Sequence, residues 1–162
     1  MEPPSPHAAT DIIIEDARWR AAVRDAERTI WRALAAVARQ GGPDFSSGPA
    51  PSILLSSDRV VKRLNARFRN RNKPTNVLTF TAMAPGHGGD IILGFETVAR
   101  EAHAAGRSMR AHLSHLVMHG ALHLDGHDHH HPGEARAMES LESKALRSLG
   151  FGDPWKNGGA RQ

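Results

Sequence analysis

Residues 108–124 carry two stripes of side chains, and both repeat with the period of an α-helix. The first stripe is apolar and consists of Leu113, Leu116, Val117, Gly120, Ala121 and Leu124. The second consists of the histidines His112, His115, His119 and His123. Because successive helical residues turn by about 100°, the two stripes lie roughly 120° apart around the axis. We therefore expect the histidines on a face other than the main packing face, in a helix that Gly126 is well placed to end.

Four short strands and four further helices are predicted along the rest of the chain. Clusters of β-branched and apolar residues predict strands at 11–15, 52–56, 75–81 and 90–94. Apolar residues spaced three and four apart predict helices at 18–40, 58–68, 95–106 and 134–149. Since the strands concentrate early and the helices late, we expect an α+β fold: a single domain with one small mixed sheet of about four strands, covered by about five helices. The domain should span residues 11–153, between loose ends at 1–10 and 154–162.

The composition excludes several classes of protein. A chain of 162 residues is long enough for one domain with a sizeable core. It contains no cysteine, which excludes disulfide partners, thiolate metal sites and cysteine nucleophiles, and which suits the cytoplasm. No apolar run approaches the roughly 20 residues that cross a bilayer, and the first residues lack the pattern of a signal peptide. We therefore expect a cytoplasmic protein with no membrane partner.

The segment 59–73 is strongly basic, with seven basic residues and no acidic one. Such a segment creates a local positive field, which makes it a candidate contact surface for phosphates. On charge alone, the commoner alternative is a solvated, arginine-rich helix face followed by a loop.

The histidines that follow the middle of this 108–124 helix have the spacing of a metal site. His119 and His123 lie one turn apart, so their imidazoles can reach one ion. A loop that turns back after the helix can bring His127 or His129 over the first two, and the usual helix–loop spacing of zinc ligands favours His129. Three imidazoles and an open water position describe a catalytic zinc site, although imidazoles also bind other divalent transition metals. The alternative is a polar helix end with solvated imidazoles.

One familiar zinc enzyme is disfavoured. In peptidases of the HExxH type, the residue after the first histidine is a glutamate that acts as general base. Gly120 occupies that position here. A peptidase or amidase would have to take its base from elsewhere in the chain.

Residues 119–129, HGALHLDGHDH, resemble the H-G-x-L-H-L-x-G-Y-D-H signature of the YbeY family, the single-domain zinc-dependent endoribonucleases of ribosomal RNA maturation. Three other segments resemble family segments in the expected order, namely 64–80, 89–93 and 139–151. The resemblance implies a metal-hydrolase domain with one zinc per chain, held by His119, His123 and His129. It also implies a single-strand-specific endoribonuclease of ribosomal RNA processing and ribosome quality control, with ribosomal RNA and the ribosomal subunit as partners.

The same resemblance places the family's arginine near the active cleft on Arg69. We expect Arg69 and His119 to be catalytic, because a guanidinium can take two phosphate oxygens at once. The alternative for Arg69 is an ion pair with a carboxylate inside the fold. Four other basic residues of the segment are expected to hold the RNA backbone without reading its sequence: Arg63, Arg67, Arg71 and Lys73.

Residues around the predicted ligands are candidates for supporting roles. His115 precedes His119 by one turn, while His127 and Asp128 flank the predicted third ligand. Metal ligands commonly need such hydrogen-bonding neighbours. His127 departs from the tyrosine usual in the family, and Asn72 departs from its aspartate, which puts the contacts of those two side chains in doubt.

The reaction itself stays open at this point. Zinc can lower the pKa of its bound water to about 7, and the resulting hydroxide can attack phosphorus or deprotonate the ribose 2′-hydroxyl. Two further functions are compatible with the sequence. One is a zinc hydrolase acting on a peptide or amide, and the other is a non-catalytic RNA-binding factor of ribosome assembly.

Overall fold

The computed structural model describes residues 11–69, 76–82, 87–126 and 132–152, with the backbone alone at 68–69 and 132–135. Within these ranges the strands are β1 (Ile12–Ile14), β2 (Ser52–Ser56), β3 (Val77–Phe80) and β4 (Asp90–Gly94). The helices are α1 (Arg18–Ala22), α2 (Ala26–Arg39), α3 (Asp58–Arg69), α4 (Phe95–Ala104), α5 (Met109–Leu124) and α6 (Pro132–Ser148). The predicted loose ends, 1–10 and 154–162, lie outside the described residues.

The four strands form one mixed sheet in the order β1-β2-β4-β3. β1 runs parallel to β2, with Ile12 opposite Ile53, and β2 runs parallel to β4. β3 pairs antiparallel with the other edge of β4, with Leu78 opposite Ile92. The predicted α+β class with a small mixed sheet of four strands is therefore confirmed.

The two faces of the sheet bury different sets of side chains, because alternate residues of a strand point to opposite faces. One face packs into the main core with α2 and α5, and it carries Ile53, Leu55, Ile91 and Leu93. The opposite face forms a smaller cluster with Val61 of α3, and it carries Leu78 and Ile92. The basic helix α3 and the histidine helix α5 therefore lie across the sheet from one another.

Helix α5 lies in the centre of the domain, where it contacts α2, α4, α6 and the sheet. Between Ala111 and Leu122, every residue except His119 is buried. Gly120 lets the helix approach β4, since a Cβ there would lie 3.2 Å from Cδ1 of Ile91. The histidines do share a face separate from the one that packs on the sheet, but neighbouring helices cover most of that face as well, so His112 and His115 are buried.

The expectation of one continuous helix over 18–40 is also wrong, since the structure divides this stretch into α1 and α2. Val23 is extended, with φ −134° and ψ 95°, and ends α1. Asp25 then precedes α2, where the helix dipole favours a carboxylate. Its side chain also accepts a hydrogen bond from Arg110 at 2.5 Å. A tertiary ion pair therefore supports the start of the second helix.

The predicted end of α5 at Gly126 is confirmed, and the start of α3 has a side-chain cap. The hydroxyl of Ser57 accepts a hydrogen bond from the backbone N–H of Val60 and caps α3. Gly126 follows α5 with φ +102°, a conformation that favours glycine. Among the helices of the described residues, none combines the length and the apolar character needed to cross a membrane.

Candidate active site

Four histidines form a ladder along one face of α5. Successive ring centroids lie 6.4 Å apart for His112 and His115, 6.3 Å for His115 and His119, and 6.1 Å for His119 and His123. His112 and His115 are buried, whereas His119 and His123 are partly exposed. The ladder therefore leads from the interior to an accessible end at the C-terminus of the helix.

Glu142 of α6 joins two rungs of this ladder. Its Oε1 lies 2.8 Å from Nε2 of His115, and its Oε2 lies 2.9 Å from Nδ1 of His119. The side chain is 0% exposed. Burial alone would raise its pKa, but the hydrogen bonds from His115 and His119 outweigh burial, and the pKa lies below the ordinary value. Glu142 is therefore a buried carboxylate that accepts a hydrogen bond from each imidazole.

Sequence reasoning missed Glu142, although α6 carries a signal for it. Met138, Glu142, Ala145 and Leu149 follow one another at intervals of four, three and four residues, which places them on one face of the helix. Met138 and Ala145 are fully buried. A glutamate on such an apolar stripe must find a partner inside the protein, because an unpaired buried charge is very costly.

Arg107, at the end of the α4–α5 connection, lies beside the buried end of the ladder. Its Nη1 is 3.3 Å from Nδ1 of His112 and 3.4 Å from Nδ1 of His115. A guanidinium can only donate, so both Nδ1 atoms accept and both rings carry a hydrogen on Nε2. Sequence reasoning missed this residue, since nothing local to Arg107 predicts histidines as its neighbours.

Glu101 of α4 completes the interior end of the network. Its Oε1 lies 3.0 Å from Nε2 of His112 and accepts a further hydrogen bond from Nδ2 of Asn76 at 3.1 Å. Burial lowers the pKa of His112, and the hydrogen bond to Glu101, which raises it, does not offset that effect. His112 therefore favours the neutral form more strongly than a free histidine does. Asn76 immediately precedes β3, so this network joins α5 to the start of that strand.

His119 and His123 fit a shared metal ion. With zinc–nitrogen bonds of about 2.1 Å, two imidazoles on one ion have centroids roughly 5–6 Å apart. The observed 6.1 Å lies just beyond that range, so a small side-chain shift would bring both rings onto one ion. A carboxylate behind a ligand histidine, as Glu142 stands behind His119, is a common feature of such sites.

The other predicted site residues fall partly outside the described residues. His127, Asp128 and His129 lie there, as do Arg71 and Lys73. Within the described ranges, no group of three potential metal ligands is found. His115 lies one turn before His119, a predicted ligand, and its Nε2 contacts Glu142.

The predicted RNA-binding arginines are only partly described. Arg63 and Arg67 are exposed on α3, and Arg69 is the last residue of that helix, described by its backbone alone. Because α3 packs on the sheet face opposite α5, the structure does not bring Arg63 and Arg67 beside the histidines. It leaves them on an exposed basic helix of the same domain.

A cavity of about 380 Å³ lies elsewhere, along the sheet. Four of the side chains that line it pack on the α3 side of the sheet, namely Leu54, Leu64, Phe80 and Ile92. Ile13, which also lines the cavity, is 59% exposed. No histidine of the described residues lines it. Asp90 is the one ionisable residue within the described ranges that lines this cavity, whereas the ladder combines several imidazoles and carboxylates. We therefore place the candidate active site at the histidine ladder.

Comparison with known proteins gives one consistent family. The family model described as Endoribonuclease YbeY matches residues 12–150. A protein from Gluconobacter oxydans described as Endoribonuclease YbeY is 74% identical over 162 residues, covering 100% of this chain and 96% of that protein. Another of the same description, from a Chelativorans species, is 51% identical and covers 75% of this chain and 77% of that protein.

One solved structure has a similar fold. The solution structure of a protein from Thermotoga maritima superposes with a TM-score of 0.55, covering 94% of this chain and 95% of that protein. Its sequence is 20% identical, so the likeness concerns the fold alone.

Proposed function

Because the chain belongs to the YbeY family of endoribonucleases, we propose that it cleaves single-stranded ribosomal RNA in a metal-dependent reaction of rRNA processing and ribosome quality control. The observation that carries the proposal is the placement of His119 and His123 one turn apart on α5, with Glu142 bound behind His119. This arrangement prepares two imidazoles for one divalent ion. The proposal assigns the protein to the cytoplasm, a reducing compartment that suits a chain without cysteine.

The proposed metal is zinc, one ion per chain, held by His119, His123 and His129. When bound, zinc supplies a water of pKa near 7, as nucleophile or base, and a positive charge beside a phosphoryl oxygen. Glu142 holds the His119 ring in place and, through its negative charge, makes that imidazole a stronger electron-pair donor to the metal. The ligand histidines must be neutral, so acid should release the metal.

The basic segment supplies the proposed RNA contacts. Arg63 and Arg67 project from α3 into solvent, where they can hold phosphates without reading bases. Arg71 and Lys73 extend the same positive field along the chain. Arg69, at the end of α3, is proposed as the cation that binds the phosphate at the cleavage site.

A peptide or amide hydrolase is less well supported by the geometry. The position that carries the general base in HExxH peptidases is Gly120, and it faces Ile91 in the sheet. A side chain at that position would point into the core, against Ile91 of β4. Within the described ranges, we identify no other residue that would serve as the general base of such a peptidase.

An activity assay on matched variants tests the proposal. Untagged protein is loaded with one equivalent of zinc and incubated with a single-stranded RNA, an RNA duplex and a peptide library. We expect cleavage of the single strand only, its loss in His119→Ala, and no change in His103→Ala, an exposed histidine of α4 away from the ladder. Elemental analysis should find about one metal per chain.

Three results would contradict the proposal. Equal RNA cleavage by His119→Ala would indicate a contaminating nuclease, and peptide cleavage would favour the other hydrolase. If the protein binds RNA without metal and does not cleave it in the presence of any divalent ion, a non-catalytic assembly factor is favoured.

A further inference from the structure

We propose that Glu142 is a positioning residue that, together with Arg107 and His115, fixes the tautomer of His119 so that its Nε2 lone pair is directed to the metal. The inference rests on the proposed function, because it concerns the metal site of that function. It adds a directional chain of hydrogen bonds that begins at Arg107 and ends at a ligand.

The first step of the chain sets the tautomer of His115. Arg107 has no acceptor atom, and its Nη1 lies 3.4 Å from Nδ1 of His115. That nitrogen must accept, so the ring hydrogen of neutral His115 is on Nε2. The contact is long for a hydrogen bond, but the opposite tautomer would place two N–H groups against each other in a buried environment.

The second step passes this direction to Glu142. The Nε2–H of His115 donates to Oε1 of Glu142 at 2.8 Å. The other carboxylate oxygen, Oε2, lies 2.9 Å from Nδ1 of His119. Because both oxygens of the carboxylate are acceptors, the second one accepts from Nδ1 of His119, and the ring then carries its lone pair on Nε2.

Glutamine at position 142 would break this logic without changing the size of the side chain. A carboxamide has one acceptor and one donor group, whereas Glu142 offers two acceptors. Arg107 holds His115 as a donor, so the amide oxygen should turn to His115. The amide NH₂ then faces His119, which can accept only by moving its hydrogen to Nε2, the atom that the metal needs.

The experiment measures tautomers and metal affinity separately. NMR of metal-free protein with ¹⁵N-labelled histidine should show His119 with its hydrogen on Nδ1 in the wild type and on Nε2 in Glu142→Gln. Zinc titration against a chelator should show an affinity about 10–100-fold lower for Glu142→Gln. Glu139→Gln, three residues earlier on α6, is the matched control and should behave as the wild type.

A double variant separates tautomer control from simple packing. In Glu142→Gln with Arg107→Met, His115 is released to accept from the amide, so the amide oxygen can return to His119. The double variant should therefore bind zinc more tightly than Glu142→Gln alone. If Glu142 has only a structural role, the second substitution should lower the zinc affinity further.

The outcomes are distinguishable. Unchanged His119 tautomer and affinity within about twofold of wild type in Glu142→Gln would overturn the inference, as would a double variant no better than the single one. A switched tautomer in a protein whose wild type binds no zinc would keep the positioning role and refute the metal site. If Glu142→Gln does not fold by circular dichroism, the wild type decides, because its metal-free spectrum should show the His119 hydrogen on Nδ1, and a hydrogen on Nε2 would overturn the inference.

Discussion

The Nδ1 atom of His119 lies 2.9 Å from the carboxylate of Glu142, although 23 residues and the end of a helix separate the two in the sequence. This contact joins α5 to α6 at the point where the histidine ladder becomes accessible. A buried carboxylate behind an imidazole orients the ring and makes it a stronger electron-pair donor to a metal. The C-terminal helix therefore has a chemical role in the proposed site as well as a packing role.

Zinc should stabilise the folded protein through this site. A ligand that binds only the native state at 100 times its Kd adds about 2.7 kcal/mol to the free energy of unfolding. We expect a higher melting temperature on addition of one to two equivalents of zinc to metal-free protein, and its reversal by a chelator. His123→Ala should lose the increase, whereas His103→Ala should keep it; an equal increase in His123→Ala would refute the ligand assignment.

The exposed arginines of α3 should contribute to RNA affinity through charge alone. For single strands, each phosphate contact adds roughly 0.7 to the slope of log affinity against log salt concentration. We expect Arg63→Ala to weaken binding of unrelated single-stranded RNAs to a similar extent and to lower that slope by about 0.7. Arg67→Ala should do the same.

The control for that measurement is Arg39→Ala, at the exposed end of α2. It removes the same charge from the protein at a position outside the basic segment. A slope that falls equally in Arg39→Ala and Arg63→Ala would show that net charge, and not the α3 surface, sets the salt dependence.

The sequence predicted those parts of the fold that local patterns determine. The four strands, the helix of the histidine ladder and its end at Gly126 follow from period, composition and glycine, and the structure confirms them. The break at Val23 was not predicted, because the apolar residues on either side of it keep helical spacing. What supports the second helix there is the contact of Asp25 with Arg110, which is 85 residues away.

The same distinction applies to the site. His119 and His123 are recognisable because their spacing is local, whereas the residues that prepare them come from other helices. Glu142 is 23 and 27 residues from its two partners, and the direction of the network depends on Arg107 as well. Only the position of Glu142 on an apolar stripe could have indicated a buried partner, and that pattern does not name the partner.

His112 should make the stability of the protein depend on pH. Burial is the main cause of its lowered pKa; Arg107 and His115 also lower it, while Glu101 raises it. Below about pH 6.5, the unfolded chain takes up a proton at this residue that the folded protein does not. The free energy of unfolding should therefore fall as the pH decreases from about 6.5 through the lower pKa of the folded state.

Urea unfolding of metal-free protein at several pH values measures this effect. His112→Gln should show a smaller loss of stability on acidification than the wild type, while His103→Gln, an exposed histidine of α4, should match the wild type. Identical pH dependence in the wild type and His112→Gln would show that another group dominates.

Gly126 should matter for metal binding beyond its effect on stability. Its φ of +102° is unfavourable for any L-residue, so alanine there should cost about 1–2 kcal/mol, although no atom lies within 4 Å of the added Cβ. His129, the proposed third ligand, follows Gly126 by three residues in the sequence. We therefore expect Gly126→Ala to lower zinc affinity as well as the free energy of unfolding.

Gly41→Ala is the matched control, because Gly41 follows α2 with φ +91°, and a Cβ added there would also meet open space. Urea unfolding and zinc titration of the two variants should show similar losses of stability but a loss of affinity in Gly126→Ala alone; equal zinc affinities would mean that the turn after α5 does not position a ligand.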